Sequence, residues 1–404
     1  MTKKVNTDPK LINEVLSRGV ERVYPDKTEL EKAMRSGQRL RLYNGIDPSG
    51  PCLHLGHAVV LRKLRQFQEL GHEVIMLIGD FTGMIGDPTD KSATRRQLAK
   101  QEVLNNCQDY KKQASHILDF SDKDNPVLIK YNSTWNSKLD FADVLDLASD
   151  FTVQQLLERD MFERRVTDGK PIHLHEFLYP LIQGYDSVAM AVDLEVGGND
   201  QTFNMLAGRD MVKRHLGKEK FVLAMKLLED PTGKKMGKTE GNMITLVDKP
   251  EEMYGKVMSW TDGMIVPGFE ILTNVPMTEI NQMDAAMKKG NPRDYKMRLA
   301  KEIVTGLLGT PAAQKAEQEF IKVFQKKDKP DQMSEIKIRE KKLNVVDLFV
   351  QTKLVSSKSE ARRLVDQGGL LVNDQVVKDI NTEIEVKKGM ILQRGKRQFV
   401  RVII

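Results

Sequence analysis

Apolar runs and helical patterns alternate along the first half of the chain. RLYNGI, Arg41 to Ile46, reads as a strand that enters a loop rich in Gly and Pro. In the following HAVVLRKLRQFQELGH, Val60, Leu64 and Phe67 fall at i, i+4 and i+7, which is one helix face, and Gly71 stands where that helix stops. EVIMLIGD, from Glu73, is a buried strand by its apolar, partly β-branched run. RRQLAKQEVLNNCQDYKKQASHILDF predicts one long amphipathic helix. VLIKY, AMAVDLEVGG and FVLAMKLLED are three further strand candidates. Strands separated by helices mean right-handed βαβ units and a mostly parallel sheet, an α/β fold. Ligands of such sheets bind beyond the carboxyl ends of the strands. The loop GIDPSGPCLHLGH, Gly45 to His57, lies at such an end.

The pattern changes twice downstream. From about Lys249 to Lys329 the strand signal fades, and DYKMRLAKEIVTGLLG and AAQKAEQEFIKVFQ read as helices. QKKDKPDQMSE is a polar linker carrying Pro330. The tail then reads helix, helix, short strands, with Ser357 and Glu360 spaced as a capping box and Gly368-Gly369 closing its second helix. The expected domains are 1–245, 246–333 and 340–404. Charge separates the last of these from the rest. Glu335 to Ile404 carry 15 Lys and Arg against 9 Asp and Glu, while the residues before them hold 48 of each sign. All of the excess positive charge therefore sits in the tail, which points to an anionic partner there. No apolar run approaches the roughly 18 residues of a membrane span, and the first residues lack the apolar stretch of a signal peptide. Two cysteines make no disulfide framework, so the expected location is the cytoplasm.

Three chemistries compete for the histidine loop: a metal site, a phosphate site and an ordinary turn. Cys52, His54 and His57 supply three zinc-type ligands, with His173 or His175 as a fourth, but no second cysteine pair exists and the spacing fits no standard zinc arrangement. The phosphate reading gains from context. A strand-to-helix loop aims the first N–H groups of the helix, and its positive end, at whatever sits there. Gly56 lets a ring approach the backbone, and both histidines are able to donate to phosphate oxygens. Downstream, DPTGKKMGKTEGN places Lys235 and Lys238 three apart in a Gly-flanked loop, at 234–239, after a strand.

HLGH and KMGKT resemble the two signatures of class I aminoacyl-tRNA synthetases. LYNGIDPSGPCLHLGH, MIGDPTDKSATRR, EFLYPLIQGYDS and VGGNDQTFN narrow the resemblance to the bacterial tyrosyl-tRNA synthetases, from about residue 10 to the C-terminus. The resemblance implies a Rossmann-like parallel-sheet catalytic domain, an α-helical domain and a small α+β RNA-binding domain. It implies that L-tyrosine is activated with ATP, accompanied by Mg2+, and passed to tRNA(Tyr) by a cytoplasmic homodimer without a tightly bound metal. By motif, Tyr43 and Asp186 would bond the phenolic hydroxyl. Asp87, Tyr179 and Gln183 would hold the α-ammonium group, with Gln201 on the carboxylate side. Gly45, Asp47 and Asp200 would line the ATP site, Asp200 at the ribose. His54, His57, Lys91, Arg95, Lys235 and Lys238 would surround the phosphates. Asn44, Val60 and Gly237 depart from the commoner pattern, which bears on ATP affinity and not on class. Three other readings stand beside this one: a tryptophanyl-tRNA synthetase, a small-molecule nucleotidyltransferase, and a non-catalytic RNA-binding paralogue. Tyr43 with Asp186 and the basic tail argue against the first; the tail and helical domain argue against the second, and the lysine loop with its histidines against the third.

Overall fold

The computed structural model describes residues 3–87, 97–230, 232–233, 243–287, 290–325, 333–338, 340–395 and 398–403. Two compact units divide the chain, Met1–Gln314 and Lys315–Ile404. The first is built on six strands: β1 (Val20–Tyr24), β2 (Arg41–Ile46), β3 (Glu73–Ile78), β4 (Leu128–Tyr131), β5 (Leu194–Gly198) and β6 (Phe221–Met225). Their order is β1-β6-β5-β2-β3-β4. All neighbours run parallel except β1, which pairs antiparallel with β6 at the edge. From β2 the chain steps outward through β3 to β4, then returns to the other side with β5. The strand order therefore reverses between β2 and β5, which is where an open α/β sheet leaves a crevice. That crevice is pronounced. β2 and β5 pair only at Leu42–Leu194 and Tyr43–Glu195, and beyond that point the Asn44 side chain donates to Val196 O at 2.8 Å.

The central strands β2, β3 and β5 are buried because their residues are apolar: Leu42, Tyr43, Ile75, Met76, Leu194 and Val196 are all fully enclosed. β1 has no counterpart among the expected strands, since VERVY exposes two of its five residues and lacks an apolar run. The expected long helix is also corrected. It is two helices, Lys100–Cys107 and Tyr110–Ala114. Tertiary bonds explain the break. Asn106 Nδ2 donates to Pro48 O at 2.8 Å, Tyr110 OH to Gly50 O at 2.6 Å, and Gln113 Nε2 to Pro51 O at 2.9 Å. Gln113 also accepts from Leu53 N at 2.7 Å. The polar face of this segment thus holds the first part of the Gly/Pro loop, Pro48 to Leu53.

Two long helices carry most of the remaining site, Leu174–Ala189 and Thr202–Leu216. They cross where Gly184 and Gly208 meet. A Cβ on Gly208 would lie 3.3 Å from Gly184 Cα, 2.8 Å from Ser187 Oγ and 2.7 Å from Lys220 Nζ, so a side chain there crowds both the crossing and these two groups. The start of the first helix is pinned by Glu176. Its carboxylate accepts His173 N–H at 2.9 Å and both terminal nitrogens of buried Arg165, at 2.6 and 2.9 Å. Helices Pro250–Met258, Ile265–Leu272, Met277–Met287 and Pro292–Leu308 follow the sheet within the same unit. Buried Arg18 joins them to the N-terminus by donating to the carbonyls of Glu270, Phe269 and Thr273, at 2.7, 3.0 and 2.8 Å. A cation there satisfies orphan carbonyls at a helix C-terminus and complements its dipole.

The second unit has its own core, centred on Val345, Leu348, Phe349, Ala361, Leu370, Leu392 and Val402. Two short helices, Val345–Gln351 and Lys358–Asp366, precede a small sheet in which Gln398–Ile403 pairs with Ile391–Arg394 and, in parallel, with Ser334–Lys337. Only half of the expected capping box forms. Ser357 Oγ accepts Glu360 N–H at 3.2 Å, but the Glu360 carboxylate takes Ser356 N–H at 2.7 Å, and Arg394 anchors it from the sheet at 2.6 Å. Gly368 ends the helix with φ +65°. No helix among the described residues is long and apolar enough to cross a membrane.

Candidate active site

A cavity of about 290 Å³ opens beyond the carboxyl ends of β2, β3, β5 and β6. Every described residue that the resemblance assigns to the tyrosine or ATP site lines it, whereas Cys52, His173 and His175 do not. Tyr43, Asn44 and Gly45 come from β2, and Asp47, His54 and His57 from the loop and helix that follow. Val60 sits one turn on. Asp87 follows β3. Tyr179, Gln183 and Asp186 come from the Leu174–Ala189 helix, spaced to share one face. Asp200 and Gln201 follow β5. Lys91, Arg95, Lys235, Gly237 and Lys238 lie outside the described residues. The chain just past the lysine loop is placed, however. Leu55 N donates to Ile244 O at 3.0 Å and Leu246 N to Leu53 O at 2.8 Å, which lays this strand-like stretch along the histidine loop.

The histidines are set by the helix they start. His54 is the N-cap of Leu55–Glu69; its Nδ1 accepts Gly56 N–H at 3.1 Å, and His57 Nδ1 accepts His54 N–H at 3.1 Å. A side chain on Gly56 would strike the His54 ring at 2.9 Å. With both Nδ1 atoms spent as acceptors, each neutral ring carries its proton on Nε2. Burial lowers the His54 pKa to about 4, and burial together with His54 pushes His57 well below the ordinary range. The ring centroids lie 4.0 Å apart, with the rings tilted 40° to each other. The pair is therefore two fixed neutral donors at the positive end of a helix, suited to anionic oxygens and unsuited to acting as a base. Among the described residues no three His, Cys, Asp or Glu side chains cluster as metal ligands.

The carboxylates divide by environment. Asp186 is fully enclosed, and burial raises its pKa to about 7 against the pull of three N–H donors. Trp135 Nε1 and Asn136 Nδ2 donate to Oδ1 at 2.7 and 2.9 Å, and Asn132 Nδ2 to Oδ2 at 3.1 Å. Asp47 accepts Thr82 Oγ1–H at 2.6 Å and Tyr179 OH at 2.9 Å. Asp87 accepts Gln201 Nε2–H at 2.8 Å, with Arg159 Nη2 at 3.5 Å. Tyr43 OH lies 2.9 Å from Ser187 Oγ, and Gln183 Nε2 donates to Glu195 at 3.2 Å.

Sequence reasoning missed the supporting groups. Asn132, Trp135 and Asn136 stand just past the end of β4, where the strand-end rule was able to flag them. Asp80 fixes that turn by accepting Ser133 N–H and Oγ–H at 2.9 and 2.6 Å. Glu195 inside an apolar strand and Lys220 at the start of another gave no motif signal, yet they form a buried ion pair beside Tyr43.

Known proteins resemble this chain along most of its length. A family model described as tRNA synthetases class I (W and Y) matches residues 35–325, and one for the tyrosine–tRNA ligase SYY-like C-terminal domain matches 325–402. Similar curated sequences include a tyrosine–tRNA ligase of Moorella thermoacetica, 46% identical over 96% of this chain and 94% of its own. Another, of Thermotoga maritima, is 46% identical over 96% of each chain. The chain belongs to the tyrosine–tRNA ligases. Solved structures with the same fold include a truncated mitochondrial tyrosyl-tRNA synthetase of Aspergillus nidulans, at TM-score 0.66 and 22% identity, covering 78% of this chain and 94% of that one. The tyrosyl-tRNA synthetase of Archaeoglobus fulgidus, solved with L-tyrosine, aligns at TM-score 0.60 and 22% identity over 77% of this chain and all of its own.

The neutral histidines make acid stability a test of the site. A free histidine titrates near 6.5, so between about pH 6.5 and 4 the unfolded chain takes up protons that His54 in the fold refuses. Stability must fall as pH falls through that window. In His54→Asn the cap is retained, because Asn Oδ1 accepts the same N–H groups, while one such group is lost. Urea unfolding at pH 7 and pH 5 is expected to show an acid penalty smaller in the variant by about 1–2 kcal/mol. An equal penalty in both proteins contradicts the buried neutral ring.

Proposed function

We propose that this cavity is where the enzyme activates L-tyrosine with ATP, before passing it to the 3′ end of its tRNA. One observation carries the reading: a single cavity has a fully buried phenol-type site, Tyr43 with Asp186, and two fixed imidazole Nε2–H donors at a helix N-terminus. Tyrosine lies with its hydroxyl on Tyr43 and Asp186 and its ammonium on Asp87, Tyr179 and Gln183. Gln201 faces its carboxylate. Asp47 and Gly45 face the nucleotide, and Asp200 takes the ribose hydroxyls. The tyrosine carboxylate is already a nucleophile at neutral pH, so adenylate formation needs no general base. It attacks the α-phosphorus and pyrophosphate departs. Catalysis is then positioning plus stabilisation of phosphate charge. His54 and His57 donate to the phosphates, with Lys91, Arg95, Lys235 and Lys238 completing the set by motif. Mg2+ enters with ATP. In the second step a ribose hydroxyl of the terminal adenosine attacks the adenylate carbonyl and AMP leaves. The reading places the enzyme in the cytoplasm.

A hydroxyl-recognising site rejects the substrate lacking that group, because its own polar partners are left unpaired; tyrosyl-tRNA synthetase is the standing example of this rule. Tyrosine is thus expected to be the one amino acid that drives rapid pyrophosphate exchange, and Asp186→Asn to reduce that exchange at least a hundredfold. The tyrosine KM of the wild type should also rise as pH drops through about 7, where Asp186 takes up its proton. Exchange driven equally by tryptophan, or untouched by Asp186→Asn, contradicts the reading.

The basic tail is proposed to hold tRNA. Arg362 and Arg363 are exposed on the Lys358–Asp366 helix. Reversing both to Glu is expected to leave pyrophosphate exchange unchanged, weaken aminoacylation at least tenfold, and flatten its dependence on salt, since phosphate contacts release counterions. Full aminoacylation by the variant contradicts the assignment.

A homodimer is proposed from exposed apolar surface. Phe141, Leu145, Val153, Val166 and Leu174 are 78, 56, 63, 58 and 77% exposed within 34 residues, a concentration that isolated surface residues do not produce. Light scattering is expected to give twice the chain mass, and a Phe141→Asp/Leu145→Asp variant half of that. A wild-type monomer at micromolar concentration contradicts it.

A further inference from the structure

Behind Tyr43 lies a hydrogen-bonded chain that the proposed chemistry does not yet use. Lys220 Nζ is fully buried. It donates to the Glu195 carboxylate, to Met205 O at 3.1 Å and to Ser187 Oγ at 2.8 Å. Carboxylate and carbonyl only accept, so the remaining ammonium proton goes to Ser187. Ser187 has one proton of its own. Glu195 Oε2 is 3.4 Å away, a long and weak bond for a hydroxyl, whereas Tyr43 OH is at 2.9 Å, within the usual O–H···O range. The Ser187 proton therefore belongs to Tyr43, and the Tyr43 proton is left for the cavity that this residue lines.

At the other side of the phenol site the polarity is opposite. Asp186 Oδ1 already accepts two N–H groups and Oδ2 one; these donors favour the ionised form, which has room to accept and nothing to donate. A phenol placed between the two gives its proton to Asp186 and must receive one on its oxygen. We infer that Ser187 and Lys220 are positioning residues that turn the Tyr43 hydroxyl into that donor. The bonds then run in one direction: Lys220 to Ser187 to Tyr43 to the substrate phenol to Asp186. This assignment rests on the proposed phenol site. Such a chain polarises along its length, and it selects for tyrosine through residues that never touch the substrate. A Cβ on Gly208 would intrude on both Ser187 and Lys220, which ties the helix crossing to the same relay.

Steady-state adenylation with tyrosine and with phenylalanine tests it, in Ser187→Ala, Tyr43→Phe and the double variant. Ser187→Ala removes the relay and leaves the Lys220, Glu195 and Met205 contacts. It is expected to lower kcat/KM for tyrosine roughly three- to tenfold, the worth of one neutral hydrogen bond, mostly through KM. Phenylalanine and ATP constants should stay at wild-type values. Added to Tyr43→Phe, it should cause no further loss of tyrosine over phenylalanine preference. Equal losses for both amino acids mark a merely structural serine and overturn the relay, as does a full additional loss in the double variant or no loss at all in Ser187→Ala. If Tyr43→Phe itself leaves the preference unchanged, the phenol site is wrong and the relay falls with it. A changed preference in Tyr43→Phe with none in Ser187→Ala removes the relay alone.

Discussion

The short ladder between β2 and β5 is the constraint on which the site depends. Two paired positions hold these strands together, and past Tyr43 and Glu195 the backbone parts. Strand ends that part expose peptide groups and side chains to a gap, and buried polar groups must find partners there or destabilise the fold. The chain meets that demand with side chains. Asn44 spans to Val196 O, Asn132 reaches Asp186 and Thr82, and Lys220 gathers Glu195, Ser187 and Met205. The cavity is thus the place where sheet hydrogen bonding is exchanged for side-chain hydrogen bonding, which leaves donors and acceptors fixed and available to a ligand.

Fixed partners also decide what each group is able to do. Asp186 and the two histidines are moved in opposite directions by the same cause, burial, so at neutral pH the histidines are uncharged donors and Asp186 sits near its titration point. Three N–H donors favour its charged form. The buried Lys220–Glu195 pair is held by extra hydrogen bonds, the condition under which desolvation of two charges is tolerated. Recognition of one hydroxyl and of phosphate oxygens in one cavity follows from this separation of environments and not from any one residue type.

Much of this was legible in the chain. The strands β2, β3, β5 and β6 announce themselves because the interior of a parallel sheet, covered on both faces, needs near-continuous apolar runs, and VLIKY marks β4 although it lies at the edge. HLGH is legible because a helix start offers unpaired N–H groups, and histidine Nδ1 atoms answer them at fixed spacing. Tyr179, Gln183 and Asp186 share a face by helical period alone. The edge strand β1 was not legible, since VERVY has charged residues at two of its five positions and no apolar run. The break in the 100–114 segment was hidden too, because Asn106, Tyr110 and Gln113 look like ordinary polar positions until the loop they hold is beside them.

Local pattern therefore determined the class of fold, the strand ends where a ligand sits, and the residues that announce themselves by motif or period. Tertiary structure decided the rest: which lone pairs of Asp186 are already taken, and that Lys220 stands behind Tyr43. Those facts depend on partners 33 or more residues away in sequence, such as Ser187 to Lys220 and Asn136 to Asp186. Sequence patterns report the period of one element at a time. The direction of a hydrogen bond depends on two elements meeting, and only the packed chain contains that information.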